Sequence, residues 1–460
     1  MIMKILNLFG IYFFALICFF SIGCANIIPP SGGPRDSIPP ILIHSLPKDS
    51  SINFSSKKIT LTFNEFVEVK EIQQNLIVNP IPINQPLVDY KLKNVFITLK
   101  DSLEPNTTYS LDFGNAIKDV NEGNIAINQK FIFSTSNKID INNIKGKVIV
   151  AHDGSIDSTL IAVLHSNLND TAIYKTKPIY ICKLNGKGEF AFYHLPSKEY
   201  NVFIIPNSFN KRFDDSTKLF GFLNSPISSK EKADENIIYV FKEAEPQINN
   251  IPQRPTDTKG NKKITYSTNI QNGRLDILDS LLTIKTNKKI TAFNKVGISL
   301  VDTNYKKIEN LIINLDTSLT YISLDFKEEF DTKYYLLIDK ESLMDSAENS
   351  LIKNDTIPFT TFKELDYGKT KLRCNQIITN EVIQIYKDDK LLNSYKAAKE
   401  IVINLYKPGE YDIRILKDEN NNKIWDTGNY KLKKQPETAT TLKTKLIVKA
   451  NWDNEIEINW

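Results

Sequence analysis

The chain has 460 residues, which exceeds the size of one hydrophobic core and corresponds to three or four domains of ordinary length. Its 58 basic side chains nearly balance its 54 acidic ones. No basic stripe with interleaved aromatic residues occurs, so nothing points to nucleic acid as a partner. A hydrophobic content of 41%, rich in Ile, Tyr and Phe, is typical of a globular, β-leaning chain and not of a disordered one.

The N-terminal segment has the pattern of an export leader. Lys4 supplies a positive charge, and residues 5–20 are apolar apart from Asn7. The alternative is an uncleaved membrane anchor. The apolar run is barely long enough to span a bilayer, and two prolines at 29–30 follow it instead of a basic flank, which favours the leader.

Cys24 ends this segment and could be a core residue, half of a disulfide or a chemical handle. The run Ser-Ile-Gly-Cys at 21–24 resembles a bacterial lipobox, although Ser21 stands where that pattern prefers leucine. The resemblance implies a signal peptide over 1–23, lipidation of Cys24 and a Pro/Gly-rich tether over 24–37. Cys182 and Cys374 fall in different predicted domains, so we expect single buried thiols instead of a disulfide framework.

The residues after Cys24 bear on the location that the lipobox resemblance implies. Ala25 is not the aspartate of an inner-membrane retention signal, and no acidic run resembling a surface-export signal follows. We therefore expect an outer-membrane lipoprotein of the cell envelope, with the periplasmic face favoured over the surface.

Apolar residues alternate with polar ones through most of the chain. "KKITLTF", at 57–63, is an example of this period of two, which predicts half-buried strands. Turn signals such as Pro105-Asn106 separate the strands at intervals typical of sandwiches. "NSYKAAKEIVINL", at 393–405, is a helix candidate, although Ile-Val-Ile within it favours a strand. The sequence predicts an all-β fold.

Two segments recur along the chain. One recurs at a constant offset of 226 residues, as from Tyr109 to Tyr335, and pairs Asp119 with Asp345. A second recurrence pairs Tyr200 with Tyr411. The predicted arrangement is A–B–A′–B′. Its parts are a first module at 38–137, a second at 142–243, a Pro-rich linker at 244–263, a third module at 264–364 and a fourth at 366–460.

The first module resembles the SbsA-type bacterial Ig-like domain through "ITLTFNEFV" (59–67), "LEPNTTYSLDFGNAIKDVNEGN" (103–124) and "FIFST" (131–135). The third module resembles a degenerate copy, with Asn349 in place of Gly123. The second module resembles the transthyretin-like or carboxypeptidase-regulatory sandwich through Gly188 and the phenylalanines that follow it. The whole chain is similar to Bacteroidota envelope lipoproteins, which implies tandem β-sandwiches but no particular function.

The sharpest local signal is "DENNNKIWDTGNY" in the fourth module, which has the spacing of an EF-hand-like calcium loop. The five candidate ligands are Asp418, Asn420, Asn422, Ile424 through its carbonyl, and Asp426. Lys423 stands where glycine usually makes the sharp turn, and Asn429 replaces the bidentate glutamate. The alternative is an Asn-rich hairpin whose side chains cap their own backbone.

No catalytic motif is recognisable. The four histidines (44, 152, 165 and 194) are scattered, and neither H-E-x-x-H nor G-x-S-x-G occurs. Carboxylates brought together by folding would leave no pattern, so a hydrolase stays a third hypothesis. Trp425, Trp452 and Trp460 could form a glycan platform, but we expect the first two to pack in a core.

Asp followed by Ser or Thr and a small or aliphatic residue occurs repeatedly. The pattern resembles the O-glycosylation acceptor of exported Bacteroidota proteins, and it equally marks turns that lead into strands. The candidate acceptors are Ser37, Ser102, Ser158, Thr171, Ser216, Ser280, Ser346 and Thr356.

Together these patterns predict a non-catalytic, lipid-anchored envelope protein that acts as a structural spacer or a binding module. We expect each sandwich to fold independently and the linked sandwiches to form a string that extends over a long distance. The rival hypothesis is a glycan- or protein-ligand receptor with its site in the fourth module. No cofactor is expected apart from calcium in that module.

Overall fold

The computed structural model of the protein describes residues 36–230, 236–243, 263–278, 281–375 and 380–460. The predicted leader, Cys24, Ser280 and almost all of the predicted linker lie outside the described residues. The chain divides into two compact units, the first ending at Asp140 and the second beginning at Ile141.

The first unit is a small β-sandwich with one short helix, α1 (Ile72–Asn75). Its strands are β1 (Leu42–Leu46), β2 (Lys58–Phe63), β3 (Val67–Val69), β4 (Ile77–Asn79), β5 (Leu87–Lys91), β6 (Asn94–Thr98), β7 (Thr108–Asp112), β8 (Ile117–Asp119) and β9 (Lys130–Ser134). They form sheets of order β1-β2-β6-β5 and β4-β7-β9, plus the pair β3-β8. In β2 the apolar residues are buried and the threonines between them are half-buried, as the alternating pattern predicts.

The second module forms one large sheet with a short helix, α2 (Ala172–Lys175). Its strands are β10 (Asn142–Val150), β11 (Leu160–His165), β12 (Tyr180–Lys183), β13 (Glu189–Leu195), β14 (Glu199–Pro206), β15 (Phe220–Phe222), β16 (Ile227–Ser228) and β17 (Asn236–Phe241). The order is β12-β11-β14-β15-β17-β10-β13, and β16 pairs with β14. Every residue of β11 is buried, so both faces of the sheet are covered here.

The third module repeats the strand order of the first unit. Its strands are β18 (Tyr266–Thr268), β19 (Arg274–Leu275), β20 (Leu282–Thr286), β21 (Ala292–Phe293), β22 (Ile298–Val301), β23 (Ile312–Leu315), β24 (Tyr321–Asp325), β25 (Lys333–Ile338), β26 (Leu343–Met344) and β27 (Asp355–Thr361). Its sheets are β18-β20-β24-β23, β19-β27-β25-β22 and β21-β26. A 3₁₀ turn at Lys295–Gly297 precedes β22.

The repeated aspartates take the same local role in the two modules. The Asp119 carboxylate accepts the backbone N–H groups of Glu122 (2.6 Å) and Asn124 (2.8 Å). The Asp345 carboxylate likewise accepts the N–H groups of Ala347 and Asn349, both at 2.9 Å. Each carboxylate holds the turn after its strand. The duplication itself stays a prediction.

The fourth module packs two sheets on each other, after a 3₁₀ turn at Glu364–Asp366. Its strands are β28 (Gly368–Cys374), β29 (Glu381–Lys387), β30 (Lys390–Lys396), β31 (Glu400–Tyr406), β32 (Gly409–Lys417), β33 (Thr438–Thr441), β34 (Leu446–Val448) and β35 (Asp453–Ile458). The sheets are β31-β28-β35 and β30-β29-β32-β33, and β34 pairs with β32. The segment considered for a helix forms parts of β30 and β31, because its alternating apolar residues pack on a sheet.

Candidate functional site

The loop that follows β32 holds the five predicted calcium ligands. Asp418 is buried, and its carboxylate accepts the backbone N–H groups of Asn422 (3.2 Å) and Lys423 (2.8 Å). The Asn420 side-chain oxygen also accepts from the N–H of Asn422 at 2.9 Å. These are the side-chain caps of a tight polar turn.

The loop is closed by amide groups that donate to Asp426. One oxygen of that carboxylate accepts hydrogen bonds from the side-chain nitrogens of both Asn420 and Asn422. The distance from the Asn422 nitrogen is 3.0 Å. Asn422 in turn accepts the N–H of Ile424 at 2.7 Å. Lys423 has a φ of 65°, the left-handed conformation that glycine adopts more easily. A calcium ion bound here would have to displace the two amide nitrogens from Asp426.

Glu437 supports the loop from outside and was not among the predicted ligands. Its carboxylate accepts the N–H groups of Glu419 (2.8 Å) and Asp426 (3.0 Å) and so joins both ends of the loop. Burial raises the pKa of Glu437, and the negative charges of Asp426 and Asp418 act in the same direction. No periodic spacing in the sequence links Glu437 to the loop.

The residues after Asp426 pack against the second module and are called here the docking arm, defined as residues 427–435. Tyr430 in this arm is 2% exposed and packs among Phe203, Phe220 and Phe222 of the second module. Its backbone N–H donates to a Glu243 carboxylate oxygen at 2.6 Å. Burying such an aromatic side chain stabilises a contact by roughly 2 kcal/mol. The docking arm therefore covers the second face of the β11–β14 sheet.

Backbone hydrogen bonds extend the contact between the second and fourth modules. The N–H groups of Ala439 and Thr441, in β33, donate to the carbonyls of Ala151 (2.7 Å) and Asp153 (2.8 Å). Gln435 donates to the Asn224 side chain at 2.8 Å. The expectation of independent sandwiches in a string is thus wrong for these two modules, because each contributes side chains and backbone groups to their shared core.

A polar and aromatic group lies beside the same contact. Arg414 lies over the Tyr386 ring, with its guanidinium carbon 3.9 Å from the ring centroid, and its Nη1 atom is 3.1 Å from His152 Nδ1. Trp425 packs edge-on against His152 and donates from its indole N–H to the Glu437 carbonyl at 2.7 Å. Trp425 is therefore partly buried between modules, in keeping with packing and not with a glycan platform.

The other two tryptophans do not extend this group. Trp452 is 63% exposed, so the expectation that it packs in a core is wrong. Trp452 lies between β34 and β35, and β34 pairs with the start of β32 at Gly409. The Asp418 loop follows the opposite end of β32. Trp460 packs against the fourth-module core. The three tryptophans therefore do not line up beside the loop.

Carboxylates converge where the third and fourth modules meet, but their hydrogen bonds and ion pairs join the two modules and do not form a catalytic pair. Asp276 accepts the Tyr367 hydroxyl at 2.7 Å and pairs with Lys407. Burial, followed by the charges of Asp325 and Asp276, raises the pKa of Glu328 to about 7. Over the residues the structure describes, no group of three His, Cys, Asp or Glu side chains could hold a metal ion.

The remaining predicted residues fall where packing and turns explain them. His165 is buried in β11, and burial lowers its pKa to about 4. Cys182 and Cys374 are thiols outside any disulfide, half-buried and buried respectively. Asp157 and Asp215 each accept the N–H two residues along, at 2.9 Å, so both Asp-Ser pairs mark turns. The glycosylation candidates within the described residues are exposed: Ser37, Ser102, Ser158, Thr171, Ser216, Ser346 and Thr356.

Residues 36–135 match the family model of a bacterial Ig-like domain. A domain of this kind indicates an extracellular or envelope protein and fits a structural or adhesion module. Nothing among curated proteins matches the sequence. No helix within the described ranges is long and apolar enough to cross a membrane.

Solved structures with similar folds include domains MG0-NIE-MG1 of alpha-2-macroglobulin from Escherichia coli, at 14% identity and a TM-score of 0.19, covering 39% of this chain and 72% of that one. The N-terminal part of the bacterial S-layer protein SbsC is 16% identical with a TM-score of 0.17, covering 38% of this chain and 42% of that one. The Bacillus cereus major pilin subunit BcpA is 11% identical with a TM-score of 0.17, covering 69% of this chain and 98% of that one. TM-scores this low carry no inference about the function of this chain.

Proposed function

We propose that this chain is a non-catalytic, lipid-anchored protein of the cell envelope that acts as a structural spacer or adhesion module. The observation that supports the proposal most is the match of residues 36–135 to a bacterial Ig-like domain, in a chain otherwise built from β-sheet modules. Such modules present loops on rigid scaffolds, which suits contact and spacing more than chemistry.

The lipid anchor in this proposal is Cys24, preceded by an apolar leader and followed by a Pro/Gly-rich tether. A diacylglycerol on this thiol, with a further acyl chain such as palmitate, would supply the two hydrophobic signals that stable membrane attachment needs. The protein would then lie on an outer membrane, with the periplasmic face favoured.

The test compares cells that express the wild type with cells that express Cys24→Ala, after separation of membranes from soluble material. We expect the wild type with the membranes and the variant in the soluble fraction. Protease added to intact cells then separates the faces: digestion places the protein at the surface, and protection places it in the periplasm. A variant that fractionates like the wild type would remove the lipid anchor from the proposal.

A second proposal concerns the Asp418 loop, which we propose as a calcium site of modest affinity. The observation in its favour is that the carboxylates of Asp418 and Asp426 lie near Glu437, whose pKa is raised by burial and, to a smaller extent, by the charges of Asp426 and Asp418. Calcium prefers six to eight oxygen ligands and would offset this repulsion. The ion would hold the start of the docking arm, giving it a structural role.

The calcium proposal is tested by thermal unfolding of the full chain with and without added calcium. We expect calcium to raise the unfolding midpoint of the wild type and to have no effect on Asp426→Asn. Asp215→Asn is the matched control, since the second-module loop carries Phe209 and Lys211 where the fourth-module loop carries Asn420 and Asn422. An equal loss of the shift in both variants, or no shift in the wild type, would contradict the proposal.

A further inference from the structure

A groove in the third module lies between the outermost strands of its two sheets. The outer side of β22 already accepts the N–H of Ile308 through Leu300, so the edge that can take a further strand is that of β23. Strand β22 ends one sheet and β23 ends the other. Between them lies a depression of about 570 Å³, lined by the turn before β22, the two strands and the segment that connects them. Edge strands expose backbone N–H and C=O groups along one side, so they can accept a further strand.

The groove has an apolar floor and apolar rims. Ile298 and Leu300 of β22, with Ile313 of β23, form the floor and are buried. Val296 and Ile312 also line the groove, and they are 80% and 55% exposed. Large apolar side chains that border an open depression favour burial against a partner.

The charge of the groove is positive. Its lining includes Lys295 and Lys307 and contains no carboxylate. The alternation along β23, where Ile312 is exposed and Ile313 is buried, is that of a strand with one face on the core. An occupant that matches these features is extended, apolar on alternate residues and acidic between them.

We propose that this groove binds an extended acidic and apolar peptide segment of another protein by addition of a strand to the β23 edge. The backbone of the segment hydrogen-bonds to β23, its apolar side chains lie on the floor, and its carboxylates reach the two lysines. The proposal is independent of the lipid anchor and of calcium.

The test uses the full chain and a fluorescently labelled nonapeptide in which valine alternates with glutamate and threonine, followed by fluorescence anisotropy. A peptide with lysine in place of glutamate reports charge preference, and one with a central proline reports strand formation. We expect saturable binding of the glutamate peptide alone. Binding that survives the central proline would overturn strand addition.

Two variants separate the groove from general surface effects. Ile312→Asp should weaken binding about tenfold or more, because an unpaired carboxylate is costly to bury in an apolar groove. Leu87→Asp is the control: Leu87 lies on the edge strand β5 of the first unit and is 57% exposed, against 55% for Ile312. Equal effects of the two variants would overturn the assignment to this groove.

The double variant Lys295→Glu, Lys307→Glu tests the charge argument directly. We expect it to bind the lysine peptide in preference to the glutamate peptide, a reversal that a purely structural role of these exposed lysines would not produce. An unchanged preference, with unfolding midpoints equal to that of the wild type, would overturn the choice of an acidic partner.

Discussion

At the scale of single residues, the half-buried carboxyl group of Glu328 makes the stability of the fold depend on pH. One of its carboxylate oxygens is buried without a hydrogen-bond partner, and its pKa is raised to about 7 by burial and by Asp325 and Asp276. A carboxyl group in this setting keeps its proton in the folded state at a pH where the unfolded chain has released it.

The pH dependence follows from the sign of this shift. Between the ordinary value of 4.5 and about 7, the folded state binds the extra proton, so stability falls as pH rises through that window. The slope contributed is at most about 1.4 kcal/mol per pH unit. In Glu328→Gln this loss disappears, and urea unfolding at a series of pH values measures the difference.

The control for this prediction is Glu329→Gln, at the exposed neighbouring position. We expect the free energy of unfolding of Glu328→Gln, relative to that of the wild type, to increase from pH 4.5 to 7. Above pH 7 we expect this gain to persist. A constant difference across this range, or an equal gain in the control, would contradict the burial argument.

At the scale of elements, the docking arm determines how the second and fourth modules are held together. Gly428 allows the arm to approach closely, because a Cβ atom added there would lie 2.6 Å from the Phe241 ring. Overpacking of this kind typically destabilises a protein by about 1–3 kcal/mol.

Gly428→Ala should therefore loosen the contact between the two modules, while Gly186→Ala should not. An added Cβ at Gly186 meets nothing within 4 Å, which makes that position a matched control in the second module. Denaturant unfolding of the full chain measures both. Equal free energies of unfolding for the two variants would contradict a close contact at the docking arm.

The sequence predicted most strands but not this contact. Period-two patterns such as that of β2 follow from a half-buried sheet and can be read locally. Strand β11 is buried on both faces, but no local sequence pattern indicates that Tyr430, more than two hundred residues away, covers the second face. Glu437 was missed for the same reason, since its role depends on folding and not on spacing.

At the scale of the whole molecule, the chain combines a bacterial Ig-like domain at 36–135 with a second compact unit from Ile141. Within that unit the docked second and fourth modules replace the extended string expected from the sequence. Contacts between residues distant along the chain join these two modules within the unit.

The proposed lipid anchor at Cys24 is the central claim, and metabolic labelling with palmitate tests it most directly. We expect label in the wild type and in Cys18→Ala, whose substitution lies within the predicted leader, and no label in Cys24→Ala. Mass spectrometry of the mature N-terminus should then find a modified Cys24 as the first residue. Label that persists in Cys24→Ala, or a mature protein that retains the leader, would contradict the account.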